Sequence, residues 1–131
     1  MGVSRDWLHT TEFAADASSA SGARAFVTLH LLDHGMGHLV DDVQLVVSEL
    51  ATNAMVHAQT PFKVILRAVN ASVLLEVQDG SRAGPVLVMA RGLETGGRGV
   101  AVVNALSREW GVVATASGGK SVWAEFARLP G

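Results

Sequence analysis

Apolar residues follow two different spacings along this chain, and each spacing predicts a different kind of element. Segments in which apolar side chains alternate, or in which Val, Ile and Leu dominate, predict five strands, at residues 7–13, 63–69, 73–79, 112–116 and 121–127. Segments with apolar side chains three and four positions apart predict three helices, at residues 23–34, 39–58 and 99–110. This order of elements predicts an α/β protein, a two-layer sandwich in which helices cover one face of a mostly antiparallel sheet.

Glycines mark several boundaries between these elements. Gly35 and Gly37 are expected to end the first helix, because glycine is the usual residue after a helix C-terminus. The apolar face of the third helix is expected to extend to Trp110, with Gly111 as its cap. Residues 80–98 have weak periodicity and several glycines, and long irregular loops of this kind usually serve a function.

Composition narrows the class of protein. The chain has 131 residues, of which 49% are hydrophobic and 17% charged, so we expect one globular domain over residues 1–131. The net charge of -2, without a basic cluster, disfavours nucleic acid as a direct partner. The absence of cysteine excludes disulfides and thiolate metal sites. No apolar run is long enough to span a membrane and no signal peptide is evident, so we expect a soluble, cytoplasmic protein.

A stripe of polar residues runs along the second predicted helix. Glu49, Asn53 and His57 are four positions apart, so at 3.6 residues per turn they share one line on the helix surface. The flanks of the stripe are apolar, with Leu45 and Val56 on one side and Val46 and Leu50 on the other. A carboxylate and an amide buried there need partners, since an unsatisfied buried polar group costs about 1–3 kcal/mol. Those partners are other side chains in a structural network, or a ligand and a metal; alternatively, the glutamate reaches the helix edge.

Two further segments carry groups that suit a nucleotide. Gly96-Gly97-Arg98-Gly99 stands before an apolar helix, where glycines let a phosphate approach the backbone and the helix N-terminus attracts anions. Asp79 ends a strand at the rim of its apolar face. Each signal has an ordinary alternative, a simple turn before the helix and a turn aspartate after the strand.

Two motifs suggest functions that their surroundings disfavour. Gly119-Lys120-Ser121 matches the end of a P-loop, but that motif needs Gly at position 114, which is Ala, and a helix where a strand pattern follows. His30, His34 and His38 have the helical spacing of metal ligands, but two glycines interrupt the helix among them. We expect neither a P-loop nor a histidine metal site, and we place these histidines at an exposed helix end.

Taken in order, the polar segments resemble the motifs of the GHKL ATPases, the superfamily of gyrases, heat-shock chaperones, sensor histidine kinases and mismatch-repair proteins. Residues 47–58 resemble the N-box, and Val77-Gln78-Asp79-Gly80-Ser81 resembles the first glycine box. Gly96-Gly97-Arg98-Gly99-Val100 resembles the second glycine box, and residues 119–125 resemble the closing Gly-Thr strand. The compact size, Ala23-Arg24 and the Ser-Glu-Leu of the N-box are most similar to the small anti-sigma-factor serine/threonine kinases.

This resemblance implies the Bergerat fold, also called the histidine-kinase-like ATPase fold, with a mixed, mostly antiparallel sheet and ATP between sheet and helices. It implies that Glu49 is the general base and that Asn53 holds the Mg²⁺ ion that bridges the ATP phosphates. Asp79 would accept a hydrogen bond from the adenine amino group, and Ser121 would support it through water. The other nucleotide-binding positions that it implies are His57, Gly80, Gly97, Arg98, Gly99 and Val100, under a lid at residues 84–96.

The same resemblance implies partners. It predicts a homodimer that phosphorylates an anti-sigma-factor antagonist and also binds a sigma factor, with Arg24 on a partner surface. The chain departs from the family pattern at Ser81, where the first glycine box has Gly, and at Ser121, where the closing motif has Thr. Two alternatives stay open: a nucleotide-gated binding module that transfers no phosphoryl group, and a detached histidine-kinase catalytic domain. Against the second, the sequence has no dimerisation and phospho-acceptor helix pair.

Overall fold

A computed structural model describes residues 5–81 and 97–130, apart from the side chains of residues 57 and 97–100. Its main elements, in chain order, are β1 (Trp7–Phe13), α1 (Ser19–Asp33), α2 (Val40–Asn53), β2 (Phe62–Val69), β3 (Ser72–Asp79), α3 (Gly97–Leu106), β4 (Glu109–Ala114) and β5 (Lys120–Ala127). A 3₁₀ turn, Gly37–Leu39, precedes α2, and a π-helical turn, Ala54–Ala58, follows it. None of the helices in the described ranges is long and apolar enough to cross a membrane.

The strands form one sheet in the order β1-β2-β3-β5-β4, and every neighbouring pair is antiparallel. The mixed sheet that the resemblance implied is therefore not found in the described ranges. Hairpins join β2 to β3 and β4 to β5, and adjacent strands joined by a hairpin must run in opposite directions. Helix α3 returns the chain so that β5 also runs antiparallel to β3.

Alternation along the strands builds the core on one face of the sheet. The inward positions are buried residues of three central strands: Phe62, Val64, Leu66, Ala68, Val73, Leu75, Val77, Val122, Ala124 and Phe126. The buried faces of α1 and α2 belong to the same cluster. Each fully buried aliphatic side chain contributes about 1.5–3 kcal/mol, so this layer supplies much of the stability of the fold. The predicted two-layer α/β sandwich is confirmed.

Helix α1 begins at Ser19, four residues before the predicted start. The Ser19 side chain is buried and its hydroxyl donates to the Ala14 carbonyl at 2.7 Å. Gly22 lies under Phe13, because a Cβ at position 22 would be 2.8 Å from the phenyl ring. Small residues therefore let the helix start close to the end of β1, whereas their composition alone suggested a loop.

The long helix predicted at residues 39–58 is divided into three segments. Its last turn is π-helical, and the Gln59 N–H donates to the Ala54 carbonyl at 2.9 Å, five residues back. Gln59 then ends the turn in the left-handed region, with φ of 59°. Because the spacing of 3.6 residues per turn stops at Asn53, the predicted polar stripe is regular only up to that residue. Single π-helical turns are found often at functional sites.

The prediction that Trp110 belongs to a helix was wrong. Helix α3 ends at Leu106, and the Arg108 N–H then donates to the Glu125 carbonyl at 2.7 Å, which starts the β4–β5 ladder. Trp110 lies in β4 and packs against the core. Strand β4 therefore occupies residues 109–114 instead of 112–116, because an inward tryptophan fits the alternation of a strand as well as a helical spacing.

Gly119 lies where the start of β5 approaches the end of β3. A Cβ at this position would be 1.9 Å from the carbonyl oxygen of Asp79, a backbone atom with little freedom to move. We expect Gly119→Ala to lower the free energy of unfolding by about 1–3 kcal/mol through overpacking, as measured by urea denaturation. Gly37→Ala is the control, since its Cβ would meet only the Leu32 side chain, at 3.6 Å. Equal losses in the two variants would contradict this packing argument.

Aromatic and imidazole rings join β1 to α1. Trp7 stacks on His34 with ring centroids 4.1 Å apart, and His9 stacks on His30 at 3.7 Å. The Nε2 atoms of His9 and His34 are 3.0 Å apart, a hydrogen bond that requires one of the rings to be neutral. Of the histidines that we expected at an exposed helix end, His30 and His34 therefore contact the first strand, and His34 and His38 are exposed.

We expect this histidine cluster to make the fold sensitive to acid. Burial lowers the pKa of His30 and of His34, and the nearby charge of His9 lowers both further, while Asp33 opposes the shift. Arg128 also lowers the pKa of His34. The folded state thus binds fewer protons than the unfolded state, so stability is complete above the ordinary histidine pKa of about 6.5 and decreases as the pH falls below it.

We expect the melting temperature to fall between about pH 7.5 and about pH 5.5, and to fall less in His30→Gln than in the unchanged protein. The measurement is thermal unfolding followed by circular dichroism at several pH values. His38→Gln is the control, because His38 is exposed outside this cluster. If the melting temperature of His30→Gln decreased as much as that of the unchanged protein, His30 would not be the cause of the acid sensitivity.

Candidate functional site

The β3–β5 ladder ends with a carboxylate directly opposite an ammonium group. Asp79 and Lys120 are register partners, and their side chains are only 3% and 4% exposed. The Lys120 Nζ donates to both carboxylate oxygens of Asp79. Asp79 Oδ1 also accepts from the Ser81 N–H at 2.8 Å. The acidic group expected to bind adenine is therefore buried on the face that the helices cover, and it is held in an ion pair.

Ser121 lies on the opposite face of the sheet from Asp79. Its register partner is Gln78, and its hydroxyl donates to Glu76 Oε2 at 3.0 Å. Neighbouring residues in a strand point to opposite faces, so Ser121 and Lys120 cannot both face Asp79. The structure does not bring Ser121 to Asp79, contrary to our expectation, and brings Lys120 there instead.

Sequence reasoning missed Lys120 although a signal was present. Val122, Ala124 and Phe126 are the inward residues of β5, and position 120 has the same parity. We considered Lys120 only as a member of two motifs, the P-loop and the closing Gly-Thr strand, and gave it no role. Extending the alternation of the strand by one step would have placed it inside.

The end of β3 lies beside the segment that follows the N-box helix. The Gly80 N–H donates to Thr60 Oγ1 at 3.0 Å, two residues beyond the π-helical turn Ala54–Ala58. A Cβ at Gly80 would make only an ordinary contact with Thr60, at 3.6 Å, so the space beside Gly80 is not filled by backbone. The end of β3 and the segment that follows the N-box helix therefore meet at one end of the sandwich.

Glu49 and Asn53 lie at the border of the buried face of α2, not within it. Both residues are half-buried, whereas Leu45 and Val56, which we expected to flank them in the core, are 53% and 55% exposed. Among the residues that the structure describes, neither the Glu49 carboxylate nor the Asn53 amide has a hydrogen-bond partner. Among the described residues no structural network holds them, and their border position fits the alternative in which the glutamate reaches the helix edge, where a ligand can also contact both groups.

The chemistry of Asn53 fits a magnesium ion. Mg²⁺ prefers oxygen ligands and is commonly held by one or two protein groups together with substrate phosphates and water. The amide oxygen of Asn53 is half-buried and without a partner in the described ranges, so it can serve as such a ligand. In those ranges there is no group of three or more His, Asp or Glu side chains that could form an all-protein metal cage.

The second glycine box forms the first turn of helix α3. Gly97, Gly99 and Val100 belong to the first turn of α3, whereas we expected a glycine loop that ends before the helix. Backbone N–H groups of a first helical turn have no partner within the helix, so this position retains the property that binds phosphate. The side chains of His57, Arg98 and Val100, and the lid expected at residues 84–96, lie outside the described residues.

Arg24 extends from α1 to α2. Its Nη1 donates to Ser48 Oγ at 3.1 Å, and the side chain is half-buried. Ser48 adjoins Glu49 in the N-box, so Arg24 contacts the helix that carries the expected base. This contact leaves its predicted place on a partner surface untested.

A polar cleft of about 300 Å³ opens beside Gly80, between the β4–β5 turn and the start of β2. Glu12, Lys63 and Gln78, which face away from the helices, form part of its lining. Asp79 also lines this cleft, but Glu49 and Asn53 do not, so the cleft is separate only from the position expected for ATP phosphates.

The ion pair of Asp79 and Lys120 makes each partner dependent on the other. Removing one member of a buried pair leaves an uncompensated charge and costs about 3–5 kcal/mol, so we expect a loss of that size in Lys120→Met. The double variant Asp79→Asn, Lys120→Met should regain most of that stability because no charge remains buried. Urea denaturation measures all three proteins, with Lys63→Met as the control for losing an exposed lysine. A double variant less stable than Lys120→Met would contradict the coupling.

Comparisons with known proteins agree with this arrangement. Residues 13–126 match a family model described as the histidine kinase-like ATPase domain. No curated protein matches the sequence. Among the solved structures that match is one of the RsbU and RsbW domains of Rv1364c from Mycobacterium tuberculosis, with a TM-score of 0.65 and 20% identity. The match covers 92% of this chain and 32% of that chain, so this chain spans about a third of its length. Because the family model matches most of its length, this chain belongs to the histidine kinase-like ATPase family.

Proposed function

We propose that this protein is a Mg²⁺- and ATP-dependent serine/threonine kinase of the anti-sigma-factor type. The observation that carries the proposal is the state of Glu49 and Asn53: both are half-buried on α2, and neither side chain has a partner in the described ranges. Half-buried polar groups that have no protein partner in the described ranges can exchange water for a ligand, so their position supports a ligand site.

Glu49 supplies the base in this mechanism. Its carboxylate accepts the proton of a serine or threonine hydroxyl on the partner protein as the hydroxyl oxygen attacks the γ-phosphorus of ATP. A new O–P bond forms, the bond from the γ-phosphorus to the bridging oxygen breaks, and ADP leaves. Glu49 then returns the proton to solvent. Phosphoryl transfer depends mainly on positioning and charge, so one well-placed carboxylate is a sufficient protein base.

The remaining groups bind and orient the nucleotide. Asn53 would hold the magnesium ion, which supplies charge neutralisation at the phosphates when it is bound. Asp79 would accept from the adenine amino group at the far side of the site. The N–H groups of the first turn of α3 would donate to phosphate oxygens.

The proposed partners are an anti-sigma-factor antagonist, which carries the acceptor hydroxyl, and a sigma factor. The resemblance of the N-box and of Ala23-Arg24 to anti-sigma-factor kinases supports both, as does the fold shared with a structure that contains an RsbW domain. The proposal includes a homodimer located in the cytoplasm, with residues 1–131 as one domain and Arg24 near a partner surface.

A specific observation also favours the alternative, a nucleotide-gated binding module without phosphoryl transfer. Asp79 is already paired with Lys120, and Ser81 replaces the glycine of the first glycine box. Both features change the surroundings of the Asp79 carboxylate, which is proposed to bind adenine, and neither changes Glu49. The two functions differ in turnover and not in fold.

Turnover therefore tests the proposal. We expect Glu49→Gln to lose at least about 100-fold in phosphoryl transfer while retaining ATP affinity, because a general base contributes roughly 10²–10⁴-fold to rate. The assay measures transfer from γ-labelled ATP to a purified anti-sigma-factor antagonist and, in parallel, ATP affinity. Thr52→Ala is the control, since Thr52 is exposed on the same helix. ATP binding without transfer in the unchanged protein would replace the kinase with the binding module.

A further inference from the structure

The buried pair at the end of β3 and β5 offers more than a carboxylate. A carboxylate has about four acceptor positions, and three positions on Asp79 are taken by two contacts from Lys120 Nζ and one from the Ser81 N–H. An ammonium has three N–H donors, and two of those on Lys120 point to Asp79. Among the described residues, the pair therefore retains one acceptor and one donor.

The position of this donor is fixed by the fold. Lys120 is buried opposite Asp79 on the helix-covered face, and Gly119 before it is held against the Asp79 backbone. A side chain that is 4% exposed cannot swing into solvent without breaking the pair and leaving a buried carboxylate alone. A nucleobase that contacts Asp79 therefore also contacts the Lys120 ammonium.

The Lys120 ammonium changes which nucleobases can bind beside Asp79. A lone buried carboxylate accepts from the 6-amino group of adenine but repels the 6-oxo group of guanine or hypoxanthine, because two oxygen acceptors then face each other. An ammonium beside that carboxylate neutralises its charge and can donate to the oxo group.

On the basis of the proposed nucleotide site, we propose that Lys120 is a residue that determines nucleotide specificity. Paired with Asp79, it presents a donor beside an acceptor, so the site accepts 6-oxopurine nucleoside triphosphates as well as ATP.

The test compares the affinities of ATP and inosine triphosphate, in the presence of Mg²⁺, by calorimetric titration. In the unchanged protein we expect the two dissociation constants to lie within about tenfold of each other. In Lys120→Met we expect the ratio to move at least about tenfold against inosine triphosphate, the factor for losing one hydrogen bond to a charged group. Arg67→Met removes an exposed cation of β2 that does not line the cleft beside Asp79, and should leave the ratio unchanged.

A second measurement needs no variant, in case Lys120→Met does not fold. Purine riboside triphosphate lacks any group at position 6, and 1-methylinosine triphosphate retains the oxo group while its N1 carries no proton that could be donated to Asp79. The unchanged protein should bind 1-methylinosine triphosphate more tightly than the purine riboside analogue; weaker binding would mean that the carboxylate acts alone and would overturn the inference. The same ratio in Lys120→Met and the unchanged protein would also overturn it. Loss of ATP binding altogether would instead remove the proposed function, and this inference with it.

Discussion

The antiparallel ladder between β3 and β5 is the constraint on which the site depends. It fixes Asp79 and Lys120 as direct partners and places both side chains on the face that the helices cover. Strand alternation leaves no alternative: a shift of one residue would bring Ser121 inside and send Lys120 to the solvent face. The close approach of Gly119 to the Asp79 carbonyl holds the ladder in this register at its end.

The N-box helix supplies the second half of the site under a looser constraint. Val46, Val47 and Leu50 fix α2 against the sheet, and Glu49 and Asn53 stand at the edge of that buried face. The helix changes to a π-helical turn directly after Asn53. Side chains at such a border can exchange water for a ligand at small cost, whereas the Asp79–Lys120 pair cannot. The proposed site therefore combines a rigid end, at the residue proposed to bind adenine, with an adaptable end at the residues proposed to bind the phosphates.

The strand pattern predicted most of the fold because it reports burial directly. β1 occupies the predicted residues, and β2, β3 and β5 differ from prediction by one residue at their starts. Helix ends were less predictable, since they depend on contacts distant in sequence. The start of α1 requires Gly22 to lie under Phe13, and the end of α3 requires Arg108 to pair with Glu125.

Motifs proposed residue types for the site without giving their geometry. Glu49, Asn53 and Asp79 were proposed from motifs, and the hydrogen bond from Gly80 to Thr60 joins the end of β3 to the segment after the N-box helix. Ser121 was assigned by analogy with a threonine, without regard to the face on which its strand position falls. Lys120 was missed for the same reason. A motif gives the order of residues along the chain. The alternation of side chains along the strand determines the face of the sheet on which each residue lies.

Magnesium-dependent ATP binding is the central claim, and calorimetric titration tests it most directly. The unchanged protein and Asn53→Ala would each be titrated with ATP, with and without Mg²⁺. The account predicts one site per chain, with affinity that increases when Mg²⁺ is present and loses that increase in Asn53→Ala. Absence of binding in the unchanged protein, or binding that is equal in both proteins with and without Mg²⁺, would contradict it.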